Sequence, residues 1–100
     1  MKLITYTAKP ARAEENRQLI RGVFAALKDA KPHGLSYTVL ETEDGQFMHL
    51  IRTDETGLKT LNAMPAFQAF TADVADRQTA PARRLGVTVV GSYGRETPHG

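Results

Sequence analysis

The stretch Gln46-Phe47-Met48-His49-Leu50-Ile51-Arg52 decides the fold. Its composition predicts a β-strand, yet both alternating sets of side chains are largely apolar. A strand with one wet face alternates apolar with polar, so this one is expected to be covered on both sides. A chain of 100 residues makes one domain with a single modest core. Its helices suffice for one face of a sheet, and a second copy of the chain is the simplest cover for the other. His49 lies in the middle of the run.

Working outward, Glu43-Asp44-Gly45 separates this strand from an earlier one, Leu35 to Thr42. The Asp-Gly dipeptide predicts a tight hairpin with a two-residue turn. That register sets Val39 opposite Leu50, Tyr37 opposite Arg52, Leu40 opposite His49 and Thr38 opposite Ile51. Directly paired residues share a face. One face then carries Tyr37, Val39, Met48 and Leu50, and the other carries Thr38, Leu40, Phe47, His49 and Ile51. A slip of one residue would exchange the faces.

Lys2 to Ala8 alternates and reads as a first strand, stopped at Lys9-Pro10. From Arg12 to Lys31 the period becomes helical, with Leu19, Ile20, Val23, Phe24 and Leu27 on one side, and Pro32-His33-Gly34 ends it. Asp54 to Gly57 is expected to be a loop and Leu58 to Ala63 a short helical turn. Pro65 opens a second helix running to about Gln78, with Phe67, Phe70, Thr71 and Val74 on one face. Arg84 to Tyr93 is expected as the last strand, its Val90-Gly91-Ser92-Tyr93-Gly94 end at a dimer contact. The domain spans 1–94, and 95–100 form a flexible polar tail.

The order β-α-β-β-α-β predicts an α+β, ferredoxin-like fold, a four-stranded antiparallel sheet with both helices on one face. Ile4, Tyr6, Val39, Met48 and Leu50 are expected under the helices. Leu3, Thr5, Thr7, Thr38, Leu40, Phe47, His49 and Ile51 are expected on the helix-free face, lining a partly polar cavity that a partner sheet closes.

Composition narrows the function. Thirteen Lys and Arg against eleven Asp and Glu give a net charge near +2, with Arg83-Arg84 the only basic pair, so no nucleic-acid footprint is visible. Cysteine is absent, which removes disulfides and thiol chemistry. With no His-x-x-His or paired-carboxylate spacing either, no metal site is expected. Neither a signal peptide nor a membrane-spanning run is legible, and the default expectation is a cytoplasmic protein.

The chain resembles the dimeric α/β-barrel proteins, and within them the antibiotic-biosynthesis-monooxygenase-like group. The resemblance covers roughly Met1 to Tyr93. It rests on Thr7-Ala8-Lys9-Pro10, the length of the first helix, Leu35-Ser36-Tyr37, Phe47-Met48-His49-Leu50 and Met64-Pro65-Ala66-Phe67-Gln68-Ala69-Phe70. It implies a homodimer with sheets packed face to face and a small pocket in each subunit. Several members oxygenate polycyclic phenols or quinols without metal or flavin, so the resemblance implies no cofactor. The sequence departs from the group at Ile51-Arg52-Thr53, where many members carry Glu-Arg-Trp. The haem-degrading relatives have an iron-ligating histidine where Thr71 falls and an asparagine near Leu3, so haem degradation is not implied.

Two readings of His49 follow. It is a partly buried histidine bonded to a backbone or threonine group and filling a dimer cavity, or it is a pocket base or hydrogen-bond donor toward a phenol, a task suited to an imidazole titrating near neutrality. On the second reading a small aromatic molecule would be held by Thr5, Thr7, Tyr37, Thr38, Phe47, Ile51 and Phe70. Tyr6 and Tyr37 fit core packing with a wet tip, and Arg52 fits a solvated strand end or a pocket mouth. The functions these features allow are a cofactor-independent monooxygenase for small phenols or quinols, a non-catalytic small-molecule-binding or structural homodimer, and a subunit of a larger biosynthetic complex.

Overall fold

The computed structural model describes residues 1–94; the expected tail, 95–100, lies outside the described residues. Strands β1 (Lys2–Thr7), β2 (Leu35–Glu41), β3 (Gln46–Thr53) and β4 (Arg83–Gly86) form one antiparallel sheet in the order β2-β3-β1-β4. Helices α1 (Ala13–Ala30), α2 (Glu55–Ala63) and α3 (Pro65–Ala72) complete the β-α-β-β-α-β plan. A 3-10 turn, Pro10–Arg12, leads into α1, and another, Val74–Arg77, follows α3. This is the expected α+β, ferredoxin-like architecture.

The hairpin register differs from the expectation, and the difference decides which side of the sheet His49 is on. Val39 stands opposite His49, Tyr37 opposite Ile51 and Leu40 opposite Met48. The cause is the turn. Thr42 and Gln46 form the closing pair, the Thr42 N–H donating to the Gln46 carbonyl at 2.9 Å and the Gln46 N–H to Thr42 Oγ1 at 3.0 Å. Glu43, Asp44 and Gly45 therefore make a three-residue loop, with Gly45 at φ +86°, where a residue with a Cβ is strained. One extra loop residue turns all of β3 over relative to β2.

Phe47, His49 and Ile51 consequently join Ile4, Tyr6, Tyr37 and Val39 on the helix-covered face. Met48 and Leu50 pass to the open face with Leu3, Thr5, Thr38 and Leu40. The expected faces of β1 and β2 are correct; that of β3 is corrected. Burial follows the new assignment: Phe47 is 1% and His49 2% exposed, while Leu40 is 45% exposed. Tyr6, Ile20, Val23, Phe47, Leu61, Met64 and Phe70 make the core. Truncating a buried phenylalanine such as Phe47 to alanine typically costs about 3–5 kcal/mol.

Three element boundaries also differ. Asp54 to Gly57 is no loop: the Asp54 carboxylate accepts from the Gly57 N–H at 2.7 Å and caps α2, adding a turn to it. The second expected helix stops at Ala72, because Asp73 leaves the helical conformation and the chain continues as a 3-10 turn. Strand β4 is only four residues long. After it the Val87 N–H donates to the Met1 carbonyl at 2.9 Å, and Val90 and Tyr93 project with 99% and 97% exposure. The single sheet offers these residues no strand to pair with.

At the α2 cap the chain is tightly packed: a Cβ on Gly57 would run into the backbone of Gly34. Gly57→Ala is expected to destabilise the fold by about 1–3 kcal/mol, read as a shifted denaturant midpoint with unchanged slope.

Candidate functional site

The helix-covered face of the sheet holds a buried chain of polar side chains. The Tyr37 hydroxyl lies 2.7 Å from His49 Nδ1, and the Tyr6 hydroxyl lies 2.9 Å from His49 Nε2. Asn16 Nδ2 donates to the Tyr6 hydroxyl at 3.0 Å, and Arg77 Nε donates to Asn16 Oδ1 at 2.9 Å. The other guanidinium nitrogens of Arg77 donate to Asp73 at 2.5 Å and to the Phe70 carbonyl at 2.6 Å. Asp73 also accepts from Arg12, which pairs with Glu15. Asn16 and Arg77 have no exposed surface at all.

Strands β1, β2 and β3, helix α1 and the 3-10 turn after α3 each contribute one buried position to this chain. Tyr6 comes from β1 and stacks on Phe47 with centroids 5.6 Å apart. Tyr37 is on β2 and leans on Phe24 of α1 at 5.1 Å. His49, at the centre of β3, packs against Phe70 at 5.4 Å. Asn16 lies on α1 one turn before Ile20, on the stripe that faces the sheet. The 3-10 turn after α3 swings Arg77 inward. There its guanidinium carbon sits 5.1 Å above the Phe70 ring, and one nitrogen satisfies a carbonyl near the helix end.

Burial governs the electrostatics. Desolvation lowers His49 to about 4, so the imidazole is neutral at physiological pH. Desolvation also raises Tyr37 and Tyr6, the latter against the lowering effects of its bond from Asn16 and the charge of Arg77, and both are neutral phenols. The bond from Arg12, followed by the Arg77 charge, holds Asp73 below the usual carboxylate range. The expectation of an imidazole poised near neutrality is corrected: burial on the core side of the sheet, against Phe70 and between two phenols, removes the water that would solvate its charge.

Beside the array lies a cavity of about 100 Å³, walled by Tyr37, His49, Phe67, Phe70 and Val74, with Arg84 on its lining. That is somewhat smaller than an apolar cavity known to admit one benzene ring, about 150 Å³. A larger cleft of about 420 Å³ opens between α1 and the hairpin, with Tyr37 on its wall. Tyr37 thus borders both spaces.

Of the residues singled out in the sequence, His49, Tyr37, Phe47, Ile51 and Phe70 share this side of the sheet. Thr5, Thr7 and Thr38 alternate to the open side, away from His49, although Thr38 also borders the rim of the larger cleft. His49 is satisfied by two tyrosines rather than by a threonine or the backbone. Arg52 alternates away from the cavity with Leu50, and Arg84 is the arginine on its wall. Asn16, Arg77 and Arg84 were not singled out. Asn16 had a signal, a polar residue on the apolar stripe of an amphipathic helix; Arg77 had none. Among the described residues no group of His, Asp and Glu could hold a metal ion, and no helix is long and apolar enough to cross a membrane.

No protein-family model matches the chain, and no curated protein does. Solved structures do. A Bacteroides thetaiotaomicron protein provisionally named an antibiotic biosynthesis monooxygenase aligns at TM-score 0.74 and 16% identity, over 96% of this chain and 93% of that one. A Caulobacter crescentus protein of the same provisional name aligns at 0.66 and 19% identity, over 88% of each chain. One from Nitrosomonas europaea aligns at 0.67 and 14% identity, over 99% of this chain and 91% of its own. The chain has the fold of the antibiotic-biosynthesis-monooxygenase-like proteins; at these identities the likeness speaks for fold.

The lowered imidazole predicts a pH dependence of stability. Unfolded, His49 would titrate near its ordinary 6.5; folded, at about 4. Between these values the unfolded chain binds the extra proton, so stability is full above about 6.5 and falls as pH drops toward 4, by about 3 kcal/mol. Denaturant midpoints measured across that window are expected to fall steeply for the wild type and less steeply for His49→Gln.

Proposed function

We propose that the protein is a cofactor-independent monooxygenase-like enzyme for a single-ring phenol or quinol held beside Tyr37 and His49. The observation that carries this is an uncharged imidazole with a phenol hydroxyl on each nitrogen, beside a largely apolar cavity of nearly one-ring size. The fold shared with proteins named as monooxygenases supports it. In such a reaction a quinol loses a proton and passes an electron to O₂, and the two radicals combine to form a C–O bond. Cleavage of the O–O bond with loss of water then leaves a hydroxyquinone. One quinol and one O₂ give one hydroxyquinone and one water, with all four electrons supplied by the quinol. The protein's tasks are to favour the phenolate, orient it and exclude bulk water. His49 at about 4 is too weak a base to hold a phenol's proton, so its role is to position Tyr37, the group that touches the substrate, while water takes the proton.

The alternative is a non-catalytic small-molecule-binding or structural homodimer of the same fold. It is favoured by the complete pairing of the core: no buried side-chain nitrogen or oxygen among the described residues lacks a partner. Oxygen uptake with a panel of hydroquinones separates the two. Turnover by the wild type, reduced about 10²-fold or more in both Tyr37→Phe and His49→Ala, is expected. Equal rates in all three, or no uptake, would sink the enzymatic reading.

A second copy of the chain is the proposed cover for the open face. Leu3, Leu40, Met48, Leu50 and Leu85 occupy that face, and Val89, Val90 and Tyr93 extend the apolar surface beyond β4. This would place Thr5 and Thr38 in a subunit interface rather than around a ligand. Sedimentation at micromolar concentration is expected to show a dimer, and Met48→Lys a monomer of unchanged helix content. A monomeric wild type contradicts the proposal.

A further inference from the structure

The hydrogen bonds of the buried chain are best satisfied in one direction, and that direction says what kind of ligand atom the site receives. Arg77 has no acceptor atom, so Asn16 must turn its carbonyl oxygen toward it and its NH₂ toward Tyr6. The Tyr6 oxygen thus receives a hydrogen from Asn16. Its own hydrogen has one remaining partner, His49 Nε2 at 2.9 Å. Were Nε2 protonated instead, two hydrogens would point at Tyr6 and the left-over hydrogen would be its own, on a side chain only 5% exposed, rather than that of the half-buried Tyr37, although both side chains line the cavity. Leaving a buried donor unmade is the costly alternative.

Nε2 is therefore the bare nitrogen and Nδ1 carries the hydrogen, which it donates to the Tyr37 oxygen 2.7 Å away. The Tyr37 hydrogen is the one left over. It belongs to a side chain that lines the cavity, as Arg84 also does.

We propose that Arg77, Asn16 and Tyr6 are positioning residues that lock His49 in its Nδ1–H form, making the Tyr37 hydroxyl a hydrogen-bond donor to an anionic oxygen, a phenolate, in the cavity. The ligand half rests on the reading of the protein as a phenol-binding enzyme; the tautomer half does not. The relay carries no net proton movement. It presents a chain of dipoles with the positive end of each turned toward the cavity, and the Arg77 cation stands at its far end. Such an array favours a phenolate over the neutral phenol, which has its own hydrogen to place.

Asn16→Asp tests the direction with little change of shape. An aspartate between Arg77 and Tyr6 accepts from both, so the Tyr6 hydrogen turns away from His49, Nε2 gains the hydrogen and Tyr37 donates inward to Nδ1. Long-range ¹H–¹⁵N correlation on the unliganded protein distinguishes the bare ring nitrogen from the protonated one. Nδ1–H in the wild type and Nε2–H in Asn16→Asp are expected. Nε2–H in the wild type, or the same tautomer in both, overturns the proposal. The ligand half is read with 4-nitrophenol, whose ionised form is coloured. The wild type is expected to bind the phenolate at least about tenfold more tightly than the phenol, a shift of one pKa unit in the bound probe. In Tyr37→Phe that preference is expected to vanish while His49 remains Nδ1–H, which keeps the test decisive should Asn16→Asp fail to fold. Equal binding of the two forms by the wild type overturns the ligand half. Because the tautomer is read without substrate, a failure of oxygen uptake is distinguishable from a failure of this inference.

Discussion

A guanidinium with no exposed surface is the constraint on which the rest of this structure depends. Burying Arg77 is tolerable only because each of its three guanidinium nitrogens finds an acceptor, in Asp73, in Asn16 and in the Phe70 carbonyl. These partners come from α1, from the end of α3 and from the turn beyond it, so one side chain ties the helical layer together. Asp73 is shared with Arg12, whose pair with Glu15 returns the network to the solvent at the start of α1. The interior arm passes instead through Asn16 to Tyr6, His49 and Tyr37, across three strands of the sheet.

The same constraint accounts for the uncharged centre. Deep in the sheet-helix layer there is no water to solvate an imidazolium, and Arg77 is already a buried cation that the network must neutralise. His49 therefore acts as a neutral group with a donor end and an acceptor end, and which end is which is inherited from its neighbours. A site built this way suits orientation and the stabilisation of a developing anion better than it suits proton storage. The chemistry assigned to Tyr37 follows from that, and the small apolar cavity beside it matches one aromatic ring better than a fused system.

Some of the site was visible in the residues and some was not. His49 stood out as a polar residue inside an apolar run, and Tyr37, Phe47 and Phe70 were singled out with it. The faces of β3 are not legible in the residues because the Asp-Gly dipeptide fits both a two-residue turn and a three-residue loop that ends in glycine. What separates them is the closing pair of Thr42 with Gln46, reinforced by the Thr42 hydroxyl, a contact that depends on the folded hairpin. That single residue sent the threonines and the histidine to opposite sides. The α2 cap at Asp54 is hidden for a similar reason: Asp-Glu-Thr-Gly reads as a loop until its backbone closes on Gly34.

What the sequence by itself determined is the order of elements, the amphipathic first helix and the excess of apolar surface on a four-stranded sheet. Each of these is written in short-range periodicity, 3.6 residues for the helix and 2 for a strand. The tertiary structure alone decided that Arg77 is buried, that Asn16 bridges it to Tyr6 and that both nitrogens of His49 end on tyrosines. Asn16 and Arg77 are 61 residues apart, and Tyr6 and His49 are 43 apart. No local pattern encodes such pairings, because a hydrogen bond between distant side chains exists only once the sheet register and the helix packing have brought them within reach.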